Sequence, residues 1–289
     1  MNGIINVHKP TGITSFDVVR KIKKVSNIKK VGHAGTLDPE ASGVLLVCIG
    51  KATKAIDYIM GDFKIYEAEL KLGVITDTYD REGKVLCESE VKASTDEIIN
   101  VINSFVGKIK QIPPMYSALK VNGKKLYELA RAGIEIEREA RNIEIYSIDI
   151  MDIKLPYVKF RVKCSKGTYI RSLCYDIGQM LECGGMMWNL QRTAIGGFPI
   201  ENSINIDDLN AENINEHIMP VENIFESNIK ITIEDRFIVF LLNGVVVKDK
   251  ALTCKFKAES IYNIYNNKND FIGIAEKSID GIRLIKSFI

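Results

Sequence analysis

One carboxylate stands out by its setting. Asp38 precedes Pro39 inside Gly32-His33-Ala34-Gly35-Thr36-Leu37-Asp38-Pro39-Glu40-Ala41-Ser42-Gly43. Three glycines and a proline in these twelve residues argue against any regular element and for a long shaped loop. Gly32 and Gly35 permit backbone geometry that side chains would strain, and Pro39 biases Asp38 away from helical geometry, which holds its carboxylate out of the loop. Such a loop presents one acid to a substrate. Taken alone, Asp-Pro is also an ordinary turn initiator.

Competing chemistries lack their residues. Gly50-Lys51-Ala52-Thr53 fails as a phosphate loop, because Leu45 stands where the upstream Gly is required and the Thr is one place late. There is no G-x-G-x-x-G, no G-x-S-x-G and no kinase signature. His8, His33 and His217 are far apart, so a zinc site is not expected. Cys48, Cys87, Cys164, Cys174, Cys183 and Cys254 include no C-x-x-C pair, which reads as reduced thiols in a cytoplasmic protein without disulfides. No second acid stands out beside Asp38, and neither a metal nor an organic cofactor is expected.

The elements that must position this loop are legible as periodicities. Gly3–Val7 reads as a strand ending at Lys9-Pro10-Thr11-Gly12. Thr14 or Ser15 caps a helix on which Phe16, Val19, Ile22 and Val25 can share a face, with Arg20, Lys21, Lys23 and Lys24 on the other. Val44–Ile49 is an apolar strand, followed by a helix from about Ala52. Tyr66, Ala68, Leu70 and Leu72 alternate with Glu67, Glu69 and Lys71, as do Val158, Phe160, Val162 and Cys164 with Lys159, Arg161 and Lys163. Ser94-Thr95-Asp96-Glu97 is a capping box before Ile98, Val101, Ile102 and Phe105. Gly167 leads into a helix with Ile170, Leu173, Cys174 and Ile177 on one face. Alternating strands imply antiparallel pairing and an α+β fold rather than a doubly wound sheet. Short strands at Ile261–Tyr265, Phe271–Ala275 and Ile282–Phe288 suggest a small appended β domain.

With 289 residues, 46% hydrophobic and 26% charged, the chain can bury a sizeable core, and neither a secretory signal nor a membrane-spanning run is legible in it. Its net charge of +2 is segregated. Between Thr193 and Ile229 there is no Lys or Arg but seven acids, Glu201, Asp207, Asp208, Glu212, Glu216, Glu222 and Glu226, so the remainder carries +9. Residues 1–60 hold nine bases to four acids and residues 108–141 eight to four. Charge runs are usually solvated faces, yet a polyanion responds to local fields rather than to the sum.

Gly32-His33-Ala34-Gly35-Thr36-Leu37-Asp38-Pro39 with Ala41-Ser42-Gly43 closely resembles the catalytic motif of the tRNA pseudouridine synthase B type of pseudouridine synthases. Four further matches occur in the right order: Lys9-Pro10-Thr11-Gly12-Ile13-Thr14-Ser15, Lys64-Ile65-Tyr66, the inserted Gln111-Ile112-Pro113-Pro114-Met115-Tyr116-Ser117-Ala118-Leu119-Lys120 with Leu126-Tyr127-Glu128, and Cys164-Ser165-Lys166-Gly167-Thr168-Tyr169-Ile170-Arg171 with Leu190-Gln191-Arg192-Thr193. Together they cover roughly residues 1–200.

The resemblance implies a mainly antiparallel pseudouridine-synthase catalytic domain with flanking helices over residues 1–230, an RNA-gripping insertion at about 108–141, and a small PUA-like RNA-binding β domain over 231–289. It implies isomerisation of uridine 55 in the T loop of tRNA, with the target nucleotide flipped out of the RNA. Asp38 is then the catalytic carboxylate, either nucleophile or base for the 2′ proton, Arg171 its partner, and Tyr66 the ring stacked on the base. His33 inserts into the RNA loop, and Tyr169 and Leu190 line the pocket. Lys9 is grouped with the substrate-binding residues, though its place on the first motif also suits a support for the catalytic loop. Lys120, Lys124, Lys125 and Arg131 meet phosphates, whereas Lys21, Lys23 and Lys24 read as solvated. No cofactor, no membrane and no obligate protein partner are implied, and a cytoplasmic monomer is expected. The alternatives are a pseudouridine synthase acting on another RNA stem-loop, with or without a guide RNA, and a non-catalytic tRNA-binding or folding protein, which would lack the need for Asp38 and Arg171.

Overall fold

The alternation of the central strands becomes a sheet with one face packed. In the computed structural model, which describes residues 1–121, 123–257 and 260–289, Lys64–Leu72 pairs antiparallel with Tyr157–Cys164 on one side and Gly185–Ile195 on the other. Val158, Phe160, Val162 and Cys164 are fully buried beside Ala68, Leu70 and Leu72, each large apolar side chain contributing about 1.5–3 kcal/mol. The helices Thr95–Ser104 and Ile170–Met180 cover that face through Ile98, Ile102, Ile170, Leu173, Cys174 and Ile177. Along the sheet the order is Ile204–Asn205, Gly3–Lys9, Ser42–Ile49, Gly185–Ile195, Lys64–Leu72, Tyr157–Cys164, Arg141–Lys154 and Gly107–Gln111, with two short strands paired off this path to make ten. Two of these pairings are parallel, Gly3–Lys9 with Ile204–Asn205 and Ser42–Ile49 with Gly185–Ile195, and the rest are antiparallel, as an α+β fold requires.

Thr14 caps the helix Ser15–Ser26 in a reciprocal box with Asp17. Its buried face is Ser15, Val18, Val19 and Ile22, not the expected set containing Phe16. Phe16 lies two residues, about 200°, from Val18, and is 58% exposed. The capping box at Ser94 and Glu97 forms as expected. The loop around Asp38 is shorter than its composition suggests. Val31–His33 pairs with Val47–Ile49, so Gly32 and His33 lie in a strand, because the free edge of Ser42–Ile49 supplies their hydrogen-bond partners. The helix expected from Ala52 begins as a 3₁₀ turn, Gly50–Ala55, and continues as Ile56–Gly61.

A second, four-stranded sheet runs Ile229–Thr232, Ile261–Tyr265, Phe271–Ser278 and Gly281–Ser287. The apolar run after Glu234 is a helix, Asp235–Leu242, which buries Phe237, Ile238 and Leu241 against Tyr262, Ile264, Ile272 and Ile282. Phe225, Phe271 and Phe288 join this sheet to Ala55 and Tyr58, and Lys54 Nζ donates to the Ser287 carbonyl at 2.8 Å. The acidic stretch forms short 3₁₀ turns between the two sheets, with Glu201, Asp207, Asp208, Glu212, Glu216 and Glu226 exposed. No helix among the described residues is long and apolar enough to cross a membrane.

Candidate active site

Strand register brings the motifs to one seam. Lys9 lies opposite Gly43, Gly43 beside Arg192, and Arg192 beside Tyr66. Paired residues share a face of the sheet, so all four point to the same side. There the helix Ser15–Ser26 covers one half of the sheet and Ile170–Met180 the other. Gly43 is needed at the crossing, since a Cβ there would lie 2.2 Å from the Arg192 carbonyl oxygen.

Three buried polar side chains hold the loop that carries Asp38. Lys9, fully buried, donates from Nζ to the carbonyls of Pro10 (2.8 Å), Ile13 (2.8 Å) and Pro39 (3.0 Å). Ser15 Oγ accepts the Leu37 N–H at 2.9 Å and donates to the Leu37 carbonyl at 3.1 Å. Arg192 donates to the carbonyls of Val44 (2.7 Å), Gly35 (3.1 Å) and Thr36 (3.5 Å). Each bond satisfies a carbonyl or amide that irregular backbone would otherwise bury unpaired. Of the two readings of Lys9, these bonds fit the support of the catalytic loop. Its ammonium is enclosed, and burial pulls its pKa down to about 8 against the opposing pull of Glu40 and Asp38.

Asp38 faces Arg171 from the opposite cover. The guanidinium grips the carboxylate at two points, Nε to Oδ2 at 3.0 Å and Nη2 to Oδ1 at 3.2 Å, while Nη2 also donates to the Tyr116 carbonyl at 2.8 Å. The Arg171 side chain is 8% exposed and that of Asp38 37%. The acid is thus fixed in orientation, with one side open.

The third member of this cluster is Asp80, which sequence reasoning missed. Its Oδ2 lies 3.4 Å from Arg171 Nη1. Its other oxygen accepts from Thr78 Oγ1 (2.5 Å) and the Glu82 N–H (3.1 Å), and its carbonyl from Thr76 Oγ1 (2.6 Å). Burial raises its pKa, with Thr78 and Arg171 opposing. The signal available was Thr76-x-Thr78-x-Asp80 before Gly83, a set of short polar side chains able to tie one turn. Arg81 extends the link, reaching Glu40 at 3.0 Å and Asn189 at 2.8 Å.

Tyr66 and Leu190 are half-buried and rest on the large core. Burial raises the Tyr66 phenol, which stays neutral near pH 7. Tyr169 precedes the Arg171 helix, and Gln111 clamps its backbone with bonds of 2.8 and 3.0 Å. Burial raises the Tyr169 phenol as well, and the charge of Asp38 adds a little to the shift of both. His33 is half-buried, its Nδ1 is enclosed without a partner among the described residues, and burial lowers its pKa.

Lys120, Lys124, Lys125 and Arg131 fall on one small unit. Lys120–Val121 and Lys124–Lys125 form a two-residue ladder with Lys120 opposite Lys125, followed directly by the helix Leu126–Arg131. Lys125 and Arg131 both stand over the Tyr127 ring, at 5.3 and 5.6 Å. Like charges paired across a ladder oppose folding, so this arrangement suits an anion supplied from outside.

Likeness to known proteins assigns the family. The model described as TruB family pseudouridylate synthase (N terminal domain) matches residues 23–170, and that described as tRNA pseudouridylate synthase B C-terminal domain matches residues 171–226. The chain is 57% identical over 290 residues to the tRNA pseudouridine synthase B of Clostridium tetani (strain Massachusetts / E88), covering 100% of both. It is 57% identical over 286 residues to that of Clostridium novyi (strain NT), covering 99% of both. Among solved structures it resembles a Cbf5-Nop10-Gar1 complex, with a TM-score of 0.72 and 28% identity over 99% of this chain and 85% of that one. An H/ACA RNP bound to a substrate RNA containing 2'-deoxyuridine gives a TM-score of 0.71 and 26% identity, again over 99% and 85%.

Proposed function

The chain belongs to the TruB family of pseudouridylate synthases and is an RNA isomerase, and from that premise we propose that it converts uridine 55 in the T loop of tRNA to pseudouridine, with Asp38 as the catalytic carboxylate. The observation that carries this reading is the Asp38–Arg171 grip, one acid held on a clamped loop with an open side, in a chain 57% identical end to end to tRNA pseudouridine synthase B.

The reaction breaks the N1–C1′ bond, forms a C5–C1′ bond, and moves a proton from C5 to N1. Atoms and electrons balance within the nucleotide, and one carboxylate suffices. Asp38 acts as nucleophile or as base for the 2′ proton. Arg171 keeps it aimed, and Asp80 keeps Arg171 in place. The neutral Tyr66 ring stacks on the flipped base, with Leu190 and Tyr169 as further walls of the pocket. His33, uncharged near pH 7, holds displaced bases by packing rather than by charge. Lys120, Lys124, Lys125 and Arg131 take backbone phosphates.

Residues 229–289 form the second RNA-binding unit of this reading, PUA-like in its small β architecture. Its separate core supports that division. The strand Ile229–Thr232 pairs within the second sheet, which supports starting this unit a residue or two earlier than residue 231.

The test is to incubate the pure protein with an unmodified tRNA transcript and map the product base by base. Pseudouridine at position 55 is expected. Modification only at another position would replace the substrate site, and none anywhere would overturn the reading.

A further inference from the structure

The seam has two flanks, and only one carries the basic insertion. On the other stands the helix Ser15–Ser26, whose first residue holds the Asp38 loop through the paired bonds between Ser15 Oγ and Leu37. The outward face of this helix is not an ordinary solvated one. Phe16 stands 58% exposed at its start, with the Arg20 guanidinium 5.8 Å and the Lys23 ammonium 6.0 Å from the ring centre. Phe16, Arg20 and Lys23 are spaced i, i+4, i+7 and form one stripe. At 1.5 Å per residue the stripe runs about 10 Å away from the catalytic loop.

Charge is concentrated along the same line. Residues 14–30 hold six bases, Arg20, Lys21, Lys23, Lys24, Lys29 and Lys30, against one acid, Asp17. Asp17 is taken by the capping box and Arg20, and Lys21 is taken by Asp207 of the acidic stretch at 2.9 Å. Among the described residues no carboxylate lies within ion-pair distance of Lys23 or Lys24. An exposed aromatic ring attended by Arg20, itself paired with Asp17, and by the uncompensated Lys23, with Lys24 beside it, fits a nucleic acid, whose ribose or base takes the ring and whose phosphates take the free cations. A protein partner would need acidic residues to match and would leave the ring to packing alone.

We infer that the Phe16, Arg20, Lys23 and Lys24 face of this helix is a second RNA contact surface, binding the backbone of the substrate on the side of the flipped nucleotide opposite the insertion. The inference rests on the tRNA reading above. It makes the substrate straddle the seam, held by the insertion on one flank and by this helix on the other, with the catalytic loop tied mechanically to the second grip through Ser15.

The test uses the full chain, an unmodified tRNA transcript, and the variants Lys23→Glu/Lys24→Glu and Phe16→Ala, with Lys21→Ala as the control because Lys21 is already paired with Asp207. The charge reversal is expected to raise Kd and KM by about tenfold or more and to flatten the dependence of log Kd on log salt by about two. Phe16→Ala is expected to raise Kd about fivefold or more without changing that slope. Lys21→Ala is expected to move neither. Unchanged Kd and slope in the charge-reversal variant, beside a wild type that binds and isomerises the transcript, would overturn this inference alone. A loss confined to kcat with Kd intact would also overturn it, since it would show the helix acting only as a prop for the loop. A wild type that neither binds nor isomerises the transcript would overturn the functional reading and this inference together.

Discussion

The Asp38 loop and the Lys120–Arg131 unit are both small, yet they are held in opposite ways. The loop is pinned by Lys9, Ser15 and Arg192, all nearly or fully buried, whose polar groups end on its backbone. The Lys120–Arg131 unit is held by a few local bonds, such as Leu126 N–H to Leu119 O at 2.8 Å and Tyr127 N–H to Ser117 O at 3.0 Å, and it spends its cations on solvent. A reacting carboxylate must be aimed to within tenths of an ångström, so its support is buried and over-determined. Phosphate contacts add up without strict geometry, so a small exposed unit suffices. Substitutions in the first region should therefore appear in kcat and in stability, and those in the second in affinity and salt dependence.

The sharpest break in that contrast is Asp38→Asn. It keeps the shape of the side chain and removes its charge, so turnover should fall by about 10⁴-fold or more. The tRNA Kd should stay within about threefold, measured by filter binding alongside single-turnover pseudouridine formation. Turnover near the wild-type rate would remove Asp38 from the chemistry. Next in size is Arg171→Lys. An ammonium cannot reproduce the two-point grip on Asp38 while also meeting Asp80 and the Tyr116 carbonyl. A loss of about 10²–10³-fold in kcat is expected, with a urea midpoint lowered because a half-buried carboxylate loses its partner. An unchanged kcat would show that the orientation of Asp38 does not depend on the fork.

The two regions also differ in how far they could be read from sequence. Alternation exposed the central strands, because a sheet with one packed face leaves a period of two. The Ser94–Glu97 and Thr14 caps were legible because they are local. The pairing of Asp38 with Arg171, 133 positions apart, had no local signature and came from the family resemblance. Asp80 stayed hidden because a turn of short polar residues looks alike whether or not its carboxylate meets a distant guanidinium. Lys9 was ambiguous for a related reason, since a lysine meeting phosphate and one meeting three buried carbonyls are written identically. The outward turn of Phe16 depends on which of two overlapping stripes, one through Val18 and one through Phe16, meets the sheet.

Lys9 offers a pH test of the buried support. Its folded pKa of about 8 lies below the unfolded value of 10.5. Between these the unfolded chain holds a proton that the folded chain has lost, so this group adds stability as pH rises through that window. The neutral amine, however, has two protons for three carbonyls, and one of Pro10, Ile13 and Pro39 is left unpaired. Activity should therefore decline above pH about 8 while thermal stability does not. Lys64, also near 8, shares the stability trend but bonds to Met60 and Asp62 rather than to the loop. Lys9→Met should remove the alkaline limb of the activity profile and lower kcat about tenfold at pH 7, since a misplaced loop costs orientation. An alkaline limb that survives in Lys9→Met would assign it to another group.

The smallest expected effect is the one that best separates the two regions, because its two readouts move in opposite directions. Lys120 is exposed and sits directly across its two-residue ladder from Lys125. In the free protein that pairing is repulsive, and Lys120 has no carboxylate within ion-pair distance among the described residues. Lys120→Ala should thus leave the urea midpoint unchanged or slightly higher. On the proposed function the same change removes one phosphate contact, so Kd for tRNA should rise a few-fold and the slope of log Kd against log salt should fall by about one. A buried support residue cannot behave this way, because removing its polar group always strands a partner. If Lys120→Ala instead lowered stability and left the salt slope alone, the Lys120–Arg131 unit would be a structural element like the Asp38 loop, and the division between an aimed acid and an exposed grip would fail.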